Sequence, residues 1–286
     1  MTGKIVVYTL LLLCTTALSC TFLAPEEITI GMLKIGDPSL QSSIGSGAPS
    51  HGIKDVWVYA DEQILGVFGL PAAIPVEAKE GPTSLQIRAG ISPNGNNSSS
   101  IEYPFFDEIV TQQNIRPEEN ITVPLNFNYK REAVFDFVAD FEQTNIFMDD
   151  VDGNAQTVIQ RVEIASPFGS FAGLIELQGQ NDAIEVTHTA RYLGANNKKG
   201  SVFLEFDFKG DDNFFVGTIL EKGSNQVKAY KILVTPSAEW KHFYLDLTDE
   251  ISKSDVLSYK VVFSSTISPG KTKSTIYLDN IKLIHF

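Results

Sequence analysis

Ser201–Lys209 reads SVFLEFDFK, and this stretch decides the fold class. Val202, Leu204, Phe206 and Phe208 share one parity, while Phe203, Glu205 and Asp207 share the other. Side chains of a strand alternate between its two faces, so strict period-two patterning predicts a half-buried antiparallel strand. Outward from it the pattern recurs. Val158–Ile164, Ile184–Leu193, Phe214–Leu220, Val227–Val234, Trp240–Leu247, Tyr259–Ser264 and Thr275–Leu283 all read as strands. Strands without intervening helical periodicity predict a sandwich of the jelly-roll type for 131–286.

The first half carries shorter β-rich runs at Ile28–Lys34, Ile53–Ala60, Ile64–Phe68, Ser84–Ile91 and Ile121–Tyr129. Gly45–Pro49, Gly81-Pro82 and Ser92–Asn97 punctuate them as turns. They predict a smaller β-sandwich over 28–130, with the boundary at Lys130-Arg131. The expected architecture is therefore all-β: two β-sandwich domains in series, the C-terminal one a jelly roll.

The N-terminus reads MTGKIVVYTLLLLCTTALSC. Lys4 precedes a short apolar run, and small or polar residues lead to Cys20, the layout of a secretory signal. The run is shorter than the roughly 20 apolar residues a spanning helix needs. Ala17-Leu18-Ser19-Cys20 resembles the lipobox of a bacterial lipoprotein, with Ala17 standing where that motif usually has Leu. The resemblance implies removal of residues 1–19, lipidation of Cys20 and a tether over 20–27. It also implies a bacterial outer-membrane or cell-surface location, lipid-anchored. The alternative is a conventional secreted protein with an incidental cysteine. Cys14 departs with the signal, so no intramolecular disulfide is expected.

Thirty-five acidic residues against 22 basic ones give a formal net charge of −13. That balance argues against nucleic acid and against electrostatic docking on anionic lipid. Membrane attachment then falls to acyl chains at Cys20, and stable anchoring takes more than one. The 43% apolar content suffices for ordinary cores.

The segments AVFDFVADFE (133–142), EWKHFYLDLT (239–248) and STIYLDNIKL (274–283) resemble the galactose-binding-type jelly roll of many carbohydrate-binding modules. The first half resembles the Ig-like or transthyretin-like domains that precede such modules in surface lipoproteins of the Bacteroidetes type. The resemblance implies a glycan ligand and a structural calcium joining first and last strands, at Glu142 and Asp279 with Asp140 beside them. Calcium takes six to eight oxygen ligands, which carboxylates and carbonyls supply. The alternative is that Asp279 and Asn280 serve a local turn. Alternation slips at this pair, since Ile276 and Leu278 share one parity and Ile281 and Leu283 the other. A bulge is expected there. The acidic loop Asp149–Asn154 lacks an EF-hand's glutamate at the twelfth position, where Gln160 stands, and reads as a solvated turn.

Trp240, His242 and Tyr244 share the less aliphatic parity of their strand. They are candidates to stack a sugar ring, with Glu205 and Asp207 accepting hydroxyl hydrogen bonds. The alternative for Trp240 is a packing role. Glu205 and Asp207 were they catalytic would form an acid–base pair, since residues two apart on a strand sit ~7 Å apart and glycosidase carboxyls lie about 5–9.5 Å apart. Alternating carboxylates on a wet sheet face are commonplace, however. His51, His188, His242 and His285 show no metal-ligand spacing, and no nucleophile elbow, zinc helix or phosphate loop is present. The sequence therefore predicts a non-catalytic, membrane-anchored glycan-binding protein with no organic cofactor. The alternatives are a structural or adhesive protein with an unknown protein partner, and a sandwich-type glycoside hydrolase or lyase.

Overall fold

The computed structural model describes residues 28–43, 45–194 and 200–286. The signal over 1–19, the lipidation candidate Cys20 and the whole of the tether over 20–27 lie outside the described residues. The described chain is all-β apart from one short helix, Thr248–Ile251.

The C-terminal half forms two facing antiparallel sheets. One runs in the order Gln160–Glu163, Phe171–Gln178, Lys273–His285, Val202–Gly210, Ser237–Asp246, and Val134–Ala139 also pairs with Lys273–His285. We call this the inner sheet. The other runs Asp149–Asp150, Ala183–Thr187, Ser258–Thr266, Phe214–Lys222, Asn225–Val234, with Tyr192–Leu193 on Ser258–Thr266. Between them lies an aromatic-rich core that includes Phe141, Phe147, Phe206, Phe208, Phe214 and Phe263. Burying one such ring stabilises the fold by about 1.5–3 kcal/mol.

The N-terminal half has a five-stranded sheet, Gln63–Gly69, Asp55–Ala60, Thr83–Ile91 and Ile101–Glu102, with Ile109–Gln113 also on Thr83–Ile91. Opposite it, Ile30–Ile35 pairs antiparallel with Ala72–Glu77 and parallel with Asn120–Val123, and Ser39–Gln41 pairs parallel with Asn126–Asn128. The expected strand Ile121–Tyr129 is thus two strands. Pro124, which has no N–H to give a ladder, falls at the break. Ile184–Leu193 divides likewise, into Ala183–Thr187 and Tyr192–Leu193.

The second core takes in Leu33, Val56, Ile87, Phe105 and Phe127, and it also contains Phe203, Tyr244 and Ile284 from the inner sheet. The N-terminal half therefore packs directly on the outward face of that sheet. The half-buried strand expected at Ser201–Lys209 is corrected by this contact: Val202–Phe208 is buried on both faces.

Candidate functional site

The outward face of the inner sheet is divided along its strands. Toward one end it is sealed under the N-terminal half; toward the other it is open.

The sealed part carries most of the candidate residues. Glu205 stands opposite Tyr244 on one neighbouring strand and Lys282 on the other, and Asp207 opposite His242 and Asp279. The side chains of Glu205, Asp207, His242 and Lys282 are at most 2% exposed. Glu205 accepts hydrogen bonds from the hydroxyls of Tyr103 and, at 2.6 Å, Tyr129, both from the N-terminal half. Lys282 Nζ lies 3.9 Å from Glu205 and donates to the Ala48 carbonyl at 3.1 Å. His242 Nδ1 sits 2.9 Å from Asp207 Oδ1, and its Nε2 is 3.4 Å from Glu205 Oε2. The Tyr244 hydroxyl accepts from the Gly52 N–H, and Ser50 Oγ donates to Asp207.

Charge in this cluster is set by burial and then by its partners. Burial alone would lower the His242 pKa, but Asp207 and Glu205 push it up to about 9. Burial would raise Glu205, yet His242, Lys282 and Tyr103 hold it below its ordinary value. Burial lowers Lys282 against the pull of Glu205 and Asp207. Two acids thus face two cations in the dry interior, each with hydrogen bonds to protein. This is the form in which buried charge is tolerated.

Expectation and structure part at this point. His242, Tyr244, Glu205 and Asp207 are not a solvent-facing sugar platform, because the N-terminal half covers them. The same burial removes Glu205 and Asp207 as an acid–base pair facing substrate and water. No sequence signal on these strands reveals the cover, since it comes from residues 48–129.

Trp240 is different. It is partly exposed beyond the covered zone, with Tyr277 at 6.4 Å between ring centroids and Phe168 edge-on at 5.4 Å. Lys209 stands opposite Tyr277 across the strand pair and lies 5.8 Å from its ring centroid. Lys209 and Tyr277 also border an open cleft of ≈ 440 Å³ with Asp211, Pro236, Ser237 and Thr275. Tyr277, Phe168 and Lys209 were missed in the sequence. Tyr277, on the parity opposite Ile276 and Leu278, and Lys209, on the parity of Glu205 and Asp207, each had a signal; Phe168 had none.

The metal candidates form a looser group. The bulge lies where the slip in alternation placed it: the register shifts between Glu205 and Asp207 against Asp279–Lys282, and Asn280 adopts φ 49°. The turn lets Asn280 donate to Asp279 Oδ1 through its N–H and reach across to Ala48 and Ser50. Asp279 Oδ2 is 3.2 Å from Ser166 Oγ, Glu142 Oε1 accepts the Ser170 and Phe171 N–H groups, and Asp140 Oδ1 accepts the Glu142 N–H. Burial and the like charges of Asp207 and Glu142 push the Asp279 pKa up to about 7. Asp140 serves its own turn, and among the described residues no three His, Cys, Asp or Glu side chains form a metal-holding group. The Asp149–Asn154 stretch is a turn only in part: Asp149–Asp150 pairs as a strand with Val186–Thr187, and in the turn that follows Asp150 and Asp152 accept the N–H groups of Gly153 and Asn154.

No protein-family model matches the sequence, and no curated protein matches it. Among solved structures, the chain is similar to a variant of a family 29 carbohydrate-binding module at 17% identity, covering 54% of this chain and 93% of that one, with a TM-score of 0.31. It is similar to a family 30 carbohydrate-binding module at 15% identity, covering 54% and 95%, with a TM-score of 0.35. It is also similar to the enzymatically active domain of bacteriophage CBA120 tailspike protein 4, at 12% identity, covering 46% and 18%, with a TM-score of 0.35.

Proposed function

We propose that this chain is a membrane-anchored, non-catalytic lipoprotein of the bacterial outer membrane or cell surface. Its sandwich over 131–286 binds glycan through the open end of the inner sheet, and the sandwich over 28–130 backs the covered end. Cys20 carries the lipid. The carrying observation is the partly exposed Trp240–Tyr277 pair beside an open cleft, with Lys209 at its edge. Amphipathic rings with a few polar groups supply the apolar face and hydroxyl contacts that a sugar needs. Asp207 and Glu205 act as interior struts in this reading.

A glycan array probed with the full chain in detergent tests it, and silence across plant, host and microbial glycans would overturn it. On a bound glycan, Trp240→Ala should weaken affinity about tenfold or more while costing ~1 kcal/mol of stability from the lost ring contact. A collapse of stability with affinity intact would make Trp240 a packing residue. Metabolic labelling with a fatty acid should mark the wild type and not Cys20→Ala.

The resemblance-implied calcium would be held by Glu142 and Asp279. Chelation should then lower the melting temperature, and the shift should vanish in Glu142→Gln; an unchanged melting curve removes the ion. The adhesive reading is supported by a different feature. The edge strand Gln63–Gly69 leaves Ile64 54% and Val67 42% exposed, as a strand-pairing surface would.

A further inference from the structure

A second cleft, of ≈ 330 Å³, opens where the two halves of the chain meet. Its size is at the lower end of the roughly 300–1,000 Å³ of small-molecule sites. One wall is the Ser92–Asn97 loop of the N-terminal half; the other is the rim formed by Ile232–Thr235 and Lys241–Tyr244. The loop is fixed in place. The Asn94 N–H donates to the Tyr244 carbonyl at 2.8 Å, and Asn94 Oδ1 accepts the Asp246 N–H at 2.9 Å. Gly95, at φ 67°, lies so close to the Phe243 ring that a Cβ would stand 3.0 Å from it.

The charge of this cleft runs against that of the molecule. The ionisable residues lining it are Lys54, Lys241, His242 and Tyr244, with no Asp or Glu, although the chain carries net −13. His242 is already balanced by Asp207 and Glu205. Lys54 Nζ donates to the carbonyls of Asn97 and Ser99, which leaves one of an ammonium's three N–H groups, and Asp55 is 3.9 Å away. Lys241 is exposed and makes no ion pair among the described residues. Ser92 Oγ is buried at the wall with no hydrogen-bond partner among the described residues, and a buried hydroxyl is more stable with one. Two cations, an unpartnered hydroxyl and the Asn97 amide together match a hydroxylated anion.

We propose that this interdomain cleft binds an acidic sugar, its carboxylate taken by Lys241 and Lys54 and its hydroxyls by Ser92 and Asn97. The site is separate from the Trp240 platform, because none of Trp240, Tyr277, Phe168 and Lys209 lines it.

Calorimetry with trigalacturonate, its neutral methyl ester and inorganic phosphate on the full chain in detergent tests the assignment. Trigalacturonate should bind, the ester should bind at least about tenfold more weakly, and raising salt should weaken the acid. Lys241→Gln, an exposed change that leaves the fold alone, should cost about tenfold, and Ser92→Val should weaken binding further. Trp240→Ala should leave this binding unchanged, which separates it from the platform reading. No binding up to about 10 mM, equal binding of the ester, full affinity in Lys241→Gln, or binding of phosphate alone would overturn the proposal.

Discussion

Lys282 is fully buried, and its ammonium reaches Glu205, the Tyr129 hydroxyl and the Ala48 carbonyl. Lys282→Met should strand Glu205 against half-satisfied partners and destabilise the protein by ~3–5 kcal/mol, read by chemical denaturation. Tyr103→Phe removes one donor to the same carboxylate and should cost ~1–3 kcal/mol. Asp279 behaves oppositely. Its folded pKa, raised from 3.8 to about 7, means its protonated form is favoured by folding. Its contribution is present at low pH and lost as pH rises from 3.8 through about 7, with a ceiling of ~4 kcal/mol at about 1.4 kcal/mol per unit. In chelator, Asp279→Asn should flatten the stability profile over that window; an unaltered slope would exclude Asp279 as its source. The residue types at these sites were legible in the sequence, and their burial was not. A carboxylate at every second position looks like a wet face, and only Tyr103, Tyr129 and Ala48, from elsewhere in the chain, show it to be dry.

At the scale of elements, the bulge at Asp279-Asn280 determines what the last strand presents. It moves Ile281 and Leu283 into the jelly-roll core and turns Asn280 and Lys282 toward the N-terminal half. Asn280→Ala should cost ~1–3 kcal/mol, because the left-handed φ and the contacts to Ala48 and Ser50 are both lost. Asn280→Gly, free of the φ cost, should recover part of it, and equal losses in the two would assign the whole effect to hydrogen bonds. This bulge could be read from the parity slip because a register shift leaves its mark on the strand's own pattern. The strands Ala72–Glu77 and Phe171–Gln178 left no such mark. Pro75 interrupts the first, and Gly173 lets the second pass tightly over Phe141 and Ile159, where larger side chains would have announced a face.

Across the whole molecule, the two cores meet through Phe203, Tyr244 and Ile284, with the paired charges beside them. Calorimetry should therefore show a single unfolding transition, and two resolved transitions would mean the contact is weak. The pH limits follow from two histidines. His242, raised from 6.5 to about 9, contributes stability that is present below 6.5 and lost as pH rises through about 9. His188, lowered by burial to about 4, contributes stability present above 6.5 and lost as pH falls through about 4. Melting temperatures should fall on the alkaline side in the wild type and on the acid side in Asp279→Asn, where the opposing gain from Asp279 is gone, and His242→Gln should lose the alkaline limb while starting from a lower value.

By itself, the sequence determined the β class, the sidedness of each clear strand, the bulge in the last one and the turn that follows Asp150. Each of these is written in neighbouring residues, because a strand's alternation and a turn's hydrogen bonds are local. Only the tertiary structure decided what the second face of the inner sheet meets. Period-two patterning separates a polar face from an apolar one, but it cannot say whether the polar face meets water or another buried polar surface. That depends on a loop and two tyrosines between 76 and 234 positions away along the chain. The same docking covers Glu205, Asp207, His242 and Tyr244, leaves Trp240 open, and forms the lysine-lined cleft between the two halves.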